Sequence, residues 1–351
     1  MGEEQETSKT RRSIQKKSFV AILLLTACIA INGCAGNGGK TVELTLVSFA
    51  VTKAAHEQII PKFVEKWKKE RNQTVIFNQS YGPSGSQTRA VIDGLEADVV
   101  HLALALDINK IEKAGLIQPG WEKEAPNNAI VSKSVVALVT RPGNPKNIKT
   151  WEDLARNGVS LITADPRTSG VARWSFLALW NSAIKAGKDE AKAREFVTKV
   201  YKNVPILARD AREASDVFFK QEQGDALINY ENEIILAAQR GKQFPYIIPE
   251  VNISIDNPIA IVDKNVDKHG NREVAEAFVQ YLFTPEAQQE FAKIGFRPVD
   301  ASVAGNKEFS KKYPAVKNIA TVQDYGGWEK IQKKFFEDGA IFDQIQSANK
   351  K

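Results

Sequence analysis

Cysteine and histidine are scarce in this chain of 351 residues, which contains two cysteines and three histidines. Cys28 and Cys34 both lie near the N-terminus, so residues 35–351 cannot form a disulfide bond within themselves and must fold by packing alone. His56, His101 and His269 are far apart in the sequence and have none of the spacings of metal ligands. We therefore interpret them as ordinary surface or core histidines and expect no metal and no cofactor.

Long runs of charge of one sign are also absent. The 48 Lys and Arg residues are interspersed with 42 Asp and Glu residues, which gives a formal net charge of +6 and a pI near 9.0. Nucleic-acid binding needs basic residues clustered on one face or along one segment. We therefore expect a solvated surface of mixed charge and no nucleic-acid partner.

The length and the 43% hydrophobic content are typical of a globular protein with two domains.

Catalytic motifs are missing as well. The stretch GPSGS at 82–86 resembles the nucleophile elbow G-x-S-x-G, but it ends in Ser86 where that motif has Gly. It also lacks the Lys of a phosphate-binding loop. Glu231 and Glu233 alternate at the end of a predicted strand, and we interpret both as solvated. Because no nucleophile, base or metal set is found, the chain is not expected to be an enzyme.

The N-terminal residues have the organisation of a secretory signal. Five basic residues lie within the first 18, and the uncharged stretch FVAILLLTACIAI follows. This stretch is shorter than the about 20 apolar residues of a membrane-spanning helix. INGC at 31–34 resembles a bacterial lipobox, so we predict a signal peptide over 1–33, a lipidated N-terminus and linker over 34–40, and lipidation at Cys34. The arginine pair at 11–12 leaves the twin-arginine export route open.

From residue 41 onward the pattern alternates between strands and helices. VELTLVSFA at 42–50 has the alternation of a strand, residues 54–70 have apolar residues at helical spacing, and TVIFNQS at 74–80 returns to a strand pattern. Further helices are predicted over 87–95, 169–186 and 212–220, next to the strand-like stretches DVVHLALAL, VSLITAD and DALINY. This alternation predicts an α/β fold.

Three of the predicted helices begin with small residues directly after a strand. Ser84 and Gly85 stand at the first entrance, Ser169 and Gly170 at the second, and the third is entered around Ala211. The first N–H groups of a helix lack intrahelical acceptors and lie at the positive end of the helix dipole. Ligands of open α/β sheets lie beyond the carboxyl ends of the strands. The entrances therefore indicate either an anion site or structural helix caps.

Several longer stretches resemble the periplasmic sulfate-binding proteins of ABC importers. QSYGPSGSQTRAVIDGLEADVVHLALALDI, LITADPRTSGVARWSFLALW, VYKNVPIL, NYENE and GFRPV occur in the order of that family and extend over nearly the whole mature chain. The resemblance implies a two-lobed α/β fold of the type II periplasmic-binding-protein class, with the ligand in the cleft between the lobes. The first lobe is expected to comprise residues 41–132 and 248–345, and the second residues 133–247.

The resemblance also implies that the anion is held by N–H and O–H donors without a cationic side chain. Ser84 and Ser169 are expected to give hydroxyl groups, whereas the expected backbone N–H donors belong to Ala50, Gly170, Val171 and Ala211. Tyr230 stands where relatives have Trp, and its phenol O–H is expected to replace the indole N–H. Ala50 and Val171 depart from the usual Asp and Gly, but a main-chain donor survives a change of side chain.

By the same resemblance, the protein is expected to capture sulfate and deliver it to the permease subunits of an ABC importer. Sulfate only accepts hydrogen bonds at neutral pH, whereas hydrogenphosphate has a proton that needs an acceptor. Asp210 is an acceptor of that kind, and we expect it to point away from the anion. Thiosulfate, molybdate and phosphate remain alternative ligands. The protein is expected to be a monomer in the periplasm, held at a membrane by a lipid on Cys34.

Overall fold

The structure, a computed structural model, describes residues 40–350. The predicted signal peptide and the predicted lipidation site Cys34 lie outside the described residues. In the described part, no helix combines the length and the apolar character that crossing a membrane requires.

The strands of residues 40–350 form two five-stranded sheets and one two-stranded sheet. Their bounds are β1 (Thr41–Phe49), β2 (Thr74–Gly82), β3 (Val99–His101), β4 (Ile130–Ser134), β5 (Val136–Thr140), β6 (Leu161–Ala164), β7 (Leu207–Ala208), β8 (Ala226–Tyr230), β9 (Tyr246–Ile247), β10 (Val251–Ile253), β11 (Ile255–Ile261) and β12 (Asn318–Ala320). The strand order is β2-β1-β3-β11-β4 in the first sheet and β7-β6-β8-β5-β9 in the second, while β10 pairs with β12.

Helices connect these strands and cover the sheets. Their bounds are α1 (Lys53–Arg71), α2 (Ser84–Ile92), α3 (Ala105–Lys113), α4 (Gly170–Lys185), α5 (Glu190–Lys202), α6 (Ala211–Phe219), α7 (Glu231–Gln239), α8 (Asp263–His269), α9 (Arg272–Tyr281), α10 (Pro285–Ile294), α11 (Ala301–Ala304), α12 (Lys307–Lys312), α13 (Trp328–Ile331) and α14 (Ile341–Asn349). Short 3-10 turns occur at Ala50–Thr52, Trp121–Lys123, Pro126–Ala129, Glu152–Ala155 and Val322–Tyr325, and Gln332–Phe336 forms a π-helical turn.

The two larger sheets have the same arrangement of parallel strands. In the first sheet β1 pairs in parallel with β2 and β3, and in the second sheet β6 pairs in parallel with β7 and β8. Consecutive residues Leu46 and Val47 of β1 point to opposite faces and are both 0% exposed. Burial on both faces is typical of parallel strands that are covered by helices. The carboxyl ends of three parallel strands therefore lie at one edge of each sheet.

Two segments connect the sheets. The chain passes from the first sheet to the second at Val135, between β4 and β5, and it returns through β10. Asn252 of β10 fastens these segments to each other, because its Oδ1 accepts the N–H of Val136 at 3.0 Å and its Nδ2 donates to the Val136 carbonyl at 2.8 Å. The two connections therefore lie side by side.

The C-terminal residues pack on the helices that follow the strands of the second sheet. Trp328 of α13 contacts the indole of Trp174 in α4, with ring centroids 4.8 Å apart. Phe342 of α14 contacts Tyr201 of α5, with ring centroids 5.5 Å apart. Helix α4 is apolar around most of its circumference, as expected for a helix that is enclosed by other elements. The lobe bounds 41–132, 248–345 and 133–247 stay a prediction.

The predicted helices over 54–70, 169–186 and 212–220 are confirmed as α1, α4 and α6. Helix α2 begins earlier than predicted, at Ser84, because the small residues after Pro83 form its first turn. The apolar run DVVHLALAL is a strand only over Val99–His101, and α3 already begins at Ala105. A short apolar run fits a buried strand and a buried helix equally well, so periodicity alone did not separate them.

Candidate anion-binding site

One cavity is lined by residues that end or directly follow the parallel strands of both sheets. The first sheet contributes Phe49, Ala50 and Val51 beside β1, Gly82, Pro83 and Ser84 beside β2, and Ala103 beside β3, whereas the second contributes Ser169, Gly170, Val171, Asp210, Ala211 and Tyr230. All of the residues predicted to hold the anion are in this set. Their assembly at one place agrees with the ligand position expected for α/β sheets, while their binding roles stay a prediction.

Helix α4 begins at the cavity. Its N-cap residue Ser169 is 3% exposed, and its side chain makes no capping hydrogen bond. The Ser169 hydroxyl is therefore not engaged by the helix. The N–H groups of Gly170 and Val171 belong to the first turn and have no intrahelical acceptor. This entrance thus brings one hydroxyl and two backbone donors to the cavity.

Helix α6 begins at the cavity as well, but its N-cap is engaged. Asp210 lines the cavity, and its Oδ1 accepts the N–H of Glu213 at 2.9 Å. The cap satisfies one of the free N–H groups of the first turn. The N–H of Ala211, at the first position of the helix, is outside the reach of that cap. Ala211 is therefore a main-chain donor at the position where the sequence predicts one.

Ser84 differs from its predicted role as a hydroxyl donor. Its hydroxyl donates to Oδ2 of Asp107 at 2.7 Å, and its Oγ accepts the N–H of Ala103 at 3.0 Å. A serine hydroxyl has one proton, so the hydroxyl that binds Asp107 does not donate to a ligand at the same time. Ser84 is the first residue of α2, and its backbone N–H has no intrahelical acceptor. The donor that Ser84 offers in this structure is therefore its main-chain N–H.

Tyr230 brings a buried hydroxyl to the cavity. The residue is 2% exposed, and within residues 40–350 its hydroxyl has no hydrogen-bond partner. Burial raises the pKa of this phenol well above its ordinary value, and the Asp107 carboxylate adds to the shift. The group is thus a neutral O–H donor. A buried polar group without a partner costs about 1–3 kcal/mol, which an anionic acceptor in the cavity would recover.

No basic side chain is found among the described residues that line the cavity. Arg173, one turn into α4, is buried, but its guanidinium donates to the Pro166 carbonyl at 2.7 Å and to the side-chain oxygen of Gln332 at 3.0 Å. Burial lowers the pKa of Arg173. The lining therefore offers neutral N–H and O–H donors.

Close contacts connect the two sides of the cavity. The N–H of Gly85 in α2 donates to the carbonyl of Thr168 at 3.1 Å, and the indole N–H of Trp174 donates to the carbonyl of Ala103 at 3.1 Å. A Cβ at Gly170 would lie 2.4 Å from the Cβ of Ala103, which is too close for two carbon atoms. Glycine at this position is therefore required for the observed approach.

The interpretation of Glu231 and Glu233 as solvated is wrong. Both lie in the first turn of α7 and are 1% and 3% exposed. Glu231 binds the guanidinium of Arg297, whereas Glu233 accepts hydrogen bonds from Arg212 at 2.8 Å and from Ser215 at 3.0 Å. Burial raises the pKa of both carboxyl groups, and their arginine partners act in the opposite direction. A carboxylate is buried where distant residues satisfy it, and the sequence pattern does not reveal such partners.

Two of the scattered histidines meet in the core of the first sheet. His56 and His101 are 0% exposed, and Nε2 of His56 lies 3.1 Å from Nδ1 of His101. Nδ1 of His56 lies 3.1 Å from the hydroxyl of Tyr81, which donates its proton to Gln79. His56 therefore donates from Nδ1 and accepts at Nε2 from Nδ1–H of His101. Burial lowers the pKa of His56 to about 3 and that of His101 well below its ordinary value.

Sequence reasoning missed Asn229, which connects two predicted donors. Its Oδ1 accepts the N–H of Tyr230 at 2.8 Å, and its Nδ2 donates to the carbonyl of Ala211 at 2.8 Å and to the hydroxyl of Ser215 at 3.0 Å. The stretch NYENE contains this residue and is the signal from which it could have been found. A sequence pattern does not show which way the amide points. Other lining residues that were not among the predicted donors are Phe49, Val51, Gly82, Pro83, Ala103 and Asp210.

Known proteins with similar sequences include several that are named for binding sulfate or thiosulfate. The sequence pattern of the family described as "Bacterial extracellular solute-binding protein" matches residues 44–297. A "Sulfate-binding protein" from Synechococcus elongatus is 56% identical over 347 residues, which cover 98% of this chain and 99% of that protein. A protein of the same name from Escherichia coli is 42% identical over 309 residues, 87% of this chain and 93% of that protein. A "Thiosulfate-binding protein" from Pseudomonas aeruginosa is 36% identical over 336 residues, 95% of this chain and 100% of that protein.

A solved structure of a sulfate-binding protein is also similar to this chain. The sulfate-binding protein SubI from Mycobacterium tuberculosis H37Rv is 36% identical and superposes with a TM-score of 0.77, covering 84% of this chain and 100% of that chain. The predicted two-lobed α/β fold of the type II periplasmic-binding-protein class is thereby confirmed, as is the resemblance to the sulfate-binding proteins. The chain belongs to the bacterial extracellular solute-binding protein family.

Proposed function

We propose that this protein binds sulfate outside the cytoplasm and delivers it to the permease subunits of an ABC importer. The cavity at the strand ends carries this proposal, because its polar lining offers N–H and O–H donors from both sheets and no basic side chain among the described residues. The names of the relatives from Synechococcus elongatus and Escherichia coli support the choice of sulfate. Membership of a solute-binding family supports a role in transport and not in catalysis.

A lining in which N–H and O–H donors predominate suits sulfate, because sulfate is fully deprotonated at neutral pH and accepts at every oxygen. The donors that we assign to it are the backbone N–H groups of Ala50, Ser84, Gly170, Val171 and Ala211, the Ser169 hydroxyl and the Tyr230 hydroxyl. Hydrogenphosphate would bring a proton that needs an acceptor, and we keep the expectation that the Asp210 carboxylate, whose Oδ1 accepts the Glu213 N–H, points away from the anion. Leaving that proton unpaired costs about 1–3 kcal/mol, or on the order of tenfold in affinity.

Thiosulfate is a second candidate ligand. The relative from Pseudomonas aeruginosa that is 36% identical over 336 residues is named a thiosulfate-binding protein. Thiosulfate is also a dianion whose outer atoms only accept, so the same set of donors serves it. Tyr230 supplies a phenol O–H where relatives have an indole N–H, so we expect any difference in ligand preference to involve this position.

Binding is coupled to delivery by closure of the lobes. We assign residues 41–132 and 248–345 to one lobe and 133–247 to the other, with the anion contacting both. A ligand that contacts both lobes stabilises the closed arrangement by its differential contacts, and a permease recognises that arrangement. We place the protein in the periplasm as a monomer, held at the membrane by a lipid on Cys34.

Calorimetric titration of the ligand-free mature protein tests the proposed function. We expect sulfate to bind with micromolar or lower Kd and phosphate to bind at least about tenfold more weakly, with thiosulfate and molybdate titrated under the same conditions. Ser169→Ala should weaken sulfate binding by about 1–3 kcal/mol, because a hydrogen bond to a charged acceptor is lost. Ser182→Ala is the matched control, because the Ser182 hydroxyl lies in the same helix and donates to the Leu179 carbonyl.

Either of two results would remove part of the proposal. Equal affinity of wild type and Ser169→Ala would remove Ser169 from the site. A protein that binds another oxyanion and not sulfate would keep the fold and lose the proposed ligand.

A further inference from the structure

The stretch NYENE, residues 229–233, is attached to both sheets, although Tyr230 alone among its members lines the cavity. Asn229 and Glu233 bind residues of α6, in the second sheet's part of the molecule. Glu231 and Asn232 face the first sheet's part instead. The anion site does not account for these two contacts.

We propose that the buried ion pair between Glu231 and Arg297 is a positioning pair that holds Tyr230 in its donor orientation when the lobes are closed. This inference rests on the proposed function of the cavity. Arg297 Nε lies 2.7 Å from Oε2 of Glu231, and Arg297 Nη2 lies 3.0 Å from Oε1. The contact is bidentate, and the side chains are 17% and 1% exposed. Two parallel hydrogen bonds fix direction as well as distance.

Arg297 is itself fixed to the first sheet. Its N–H donates to the carbonyl of Lys133 in β4 at 2.8 Å, and its carbonyl accepts the N–H of Lys133 at 3.2 Å. Its Nη1 donates to the carbonyl of Pro314 at 2.9 Å. The guanidinium therefore has a defined position relative to β4, the strand that leads into the crossing at Val135.

Glu231 connects the fixed guanidinium of Arg297 to the backbone next to Tyr230. It is the first residue of α7 and directly follows Tyr230, and its N–H donates to the carbonyl of Val135 at 3.0 Å. Gly295 packs against the next residue of the helix, since a Cβ at Gly295 would lie 2.8 Å from the Cα of Asn232. The start of α7 is thus held from the first sheet's side, and the Tyr230 ring extends from this start toward the cavity.

An ion pair suits this role better than an apolar contact. Apolar side chains of similar volume would pack at the same place, but they would not specify the rotation of α7 about its start. A bidentate pair does, because each carboxylate oxygen has one nitrogen partner. The Tyr230 hydroxyl has no other partner in the described residues to orient it. Its position therefore depends on the backbone that carries the ring and on the packing of the ring, which contacts Phe49.

A double-mutant cycle on the full mature protein tests the inference, with sulfate affinity measured by calorimetry. In the presence of Tyr230, Glu231→Gln is expected to weaken sulfate binding by about fivefold to tenfold. In a Tyr230→Phe background, the same change should alter affinity by less than about twofold, because the hydroxyl that it positions is already gone. Arg297→Lys keeps the charge and loses the bidentate geometry, so its effect should be intermediate.

Asp263→Asn is the matched control for general destabilisation. Asp263 binds Nη1 of Arg272 at 2.9 Å and is 5% exposed. It follows β11, which runs antiparallel to β3, so it lies at the opposite end of the first sheet from the cavity. Urea unfolding should show destabilisation for both Asp263→Asn and Glu231→Gln, whereas sulfate affinity should change only for the latter.

The outcomes separate this inference from the proposed function. If wild type binds sulfate and Glu231→Gln weakens binding equally with Tyr230 and with Phe at position 230, the positioning role is overturned and the proposed function stands. Unchanged affinity of both Glu231→Gln and Arg297→Lys also overturns it. If wild type binds another oxyanion, the cycle is measured with that anion. If it binds none of sulfate, thiosulfate, molybdate and phosphate, both proposals fail.

Discussion

At the scale of single residues, Gly170 shows how a missing side chain permits the contact between the two sides of the cavity. It begins α4 and contributes a main-chain N–H, and it also faces Ala103, which follows β3 of the other sheet. Its backbone requires no unusual conformation that would favour glycine by itself. The close approach to Ala103 is therefore the physical reason for glycine at this position.

Gly170→Ala is expected to weaken sulfate binding by about tenfold or more, because inserting a methyl group into a packed contact costs about 1–3 kcal/mol. The new Cβ would lie 2.4 Å from the Cβ of Ala103 and 3.2 Å from Cδ2 of Leu104, so α4 must move away from the first sheet. Calorimetry measures the change. Gly305→Ala is the control, since the new Cβ would contact only carbonyl oxygens of α11, at 3.2 Å or more. Equal affinity of Gly170→Ala and wild type would contradict this account.

At the scale of elements, the helix entrances combine two functions in few residues. Helix α6 has an acidic N-cap, Asp210, beside a main-chain donor at Ala211. The carboxylate satisfies the Glu213 N–H and favours the helix through its dipole, but it also places a negative charge among the residues that line an anion cavity. The Asp210 carboxylate is therefore expected to stabilise the helix and to weaken anion binding.

Asp210→Asn separates the effect on helix stability from the effect on anion affinity, because Asn is an N-cap residue as favourable as Asp and carries no charge. We expect sulfate to bind a few-fold more tightly, since a repulsion on the order of 1 kcal/mol is removed. The free energy of unfolding should change by less than about 1 kcal/mol, because the cap is retained. Calorimetry and urea unfolding measure the two effects. Asp210→Ala is the comparison variant, which should lose stability as well as charge. Weaker sulfate binding by Asp210→Asn would show that the carboxylate serves the site in another way.

The elements themselves were largely predictable from the sequence, and the reasons are local. The alternation in β1 and the helical spacing in α1 depend on neighbouring residues, so pattern and structure agree. The directions of side chains were not predictable in this way. The Ser84 hydroxyl donates to Asp107, which lies 23 residues further along the chain, and Glu231 forms its ion pair with Arg297, which lies 66 residues further along. Such partners become neighbours only when the sheets assemble, which periodicity does not describe.

At the scale of the whole molecule, the three described histidines contribute to the pH dependence of stability with opposite signs. His56 and His101 are enclosed with Phe49 and Phe291 in the core of the first sheet, where burial lowers the pKa of both. His269 at the end of α8 binds Asp98 at 2.7 Å and Glu96 at 2.9 Å, and these hydrogen bonds raise its pKa. Stability as a function of pH is the sum of these contributions.

The free energy of unfolding should therefore decrease on acidification because of the buried pair. In the unfolded chain both histidines bind a proton as the pH falls through about 6.5, whereas in the folded protein His56 stays neutral down to a pKa of about 3. The unfolded state then binds more protons, so stability is lost as the pH falls below about 6.5. Between pH 7 and 5 the loss amounts to about 2 kcal/mol for each histidine that stays neutral.

Urea unfolding at pH 7 and pH 5 measures this loss, and two variants assign it. His101→Asn keeps a donor for His56 but does not titrate, so the difference between pH 7 and pH 5 should shrink by about 2 kcal/mol. His269→Asn should enlarge the difference, because His269 binds its proton more tightly in the folded protein and so contributes stability that is present below about pH 6.5 and lost as the pH rises through its raised pKa. A pH dependence of His101→Asn equal to that of wild type would mean that His101 binds its proton in the folded protein over the same pH range as in the unfolded chain, and it would contradict the neutral state that we assign to His101 in the core.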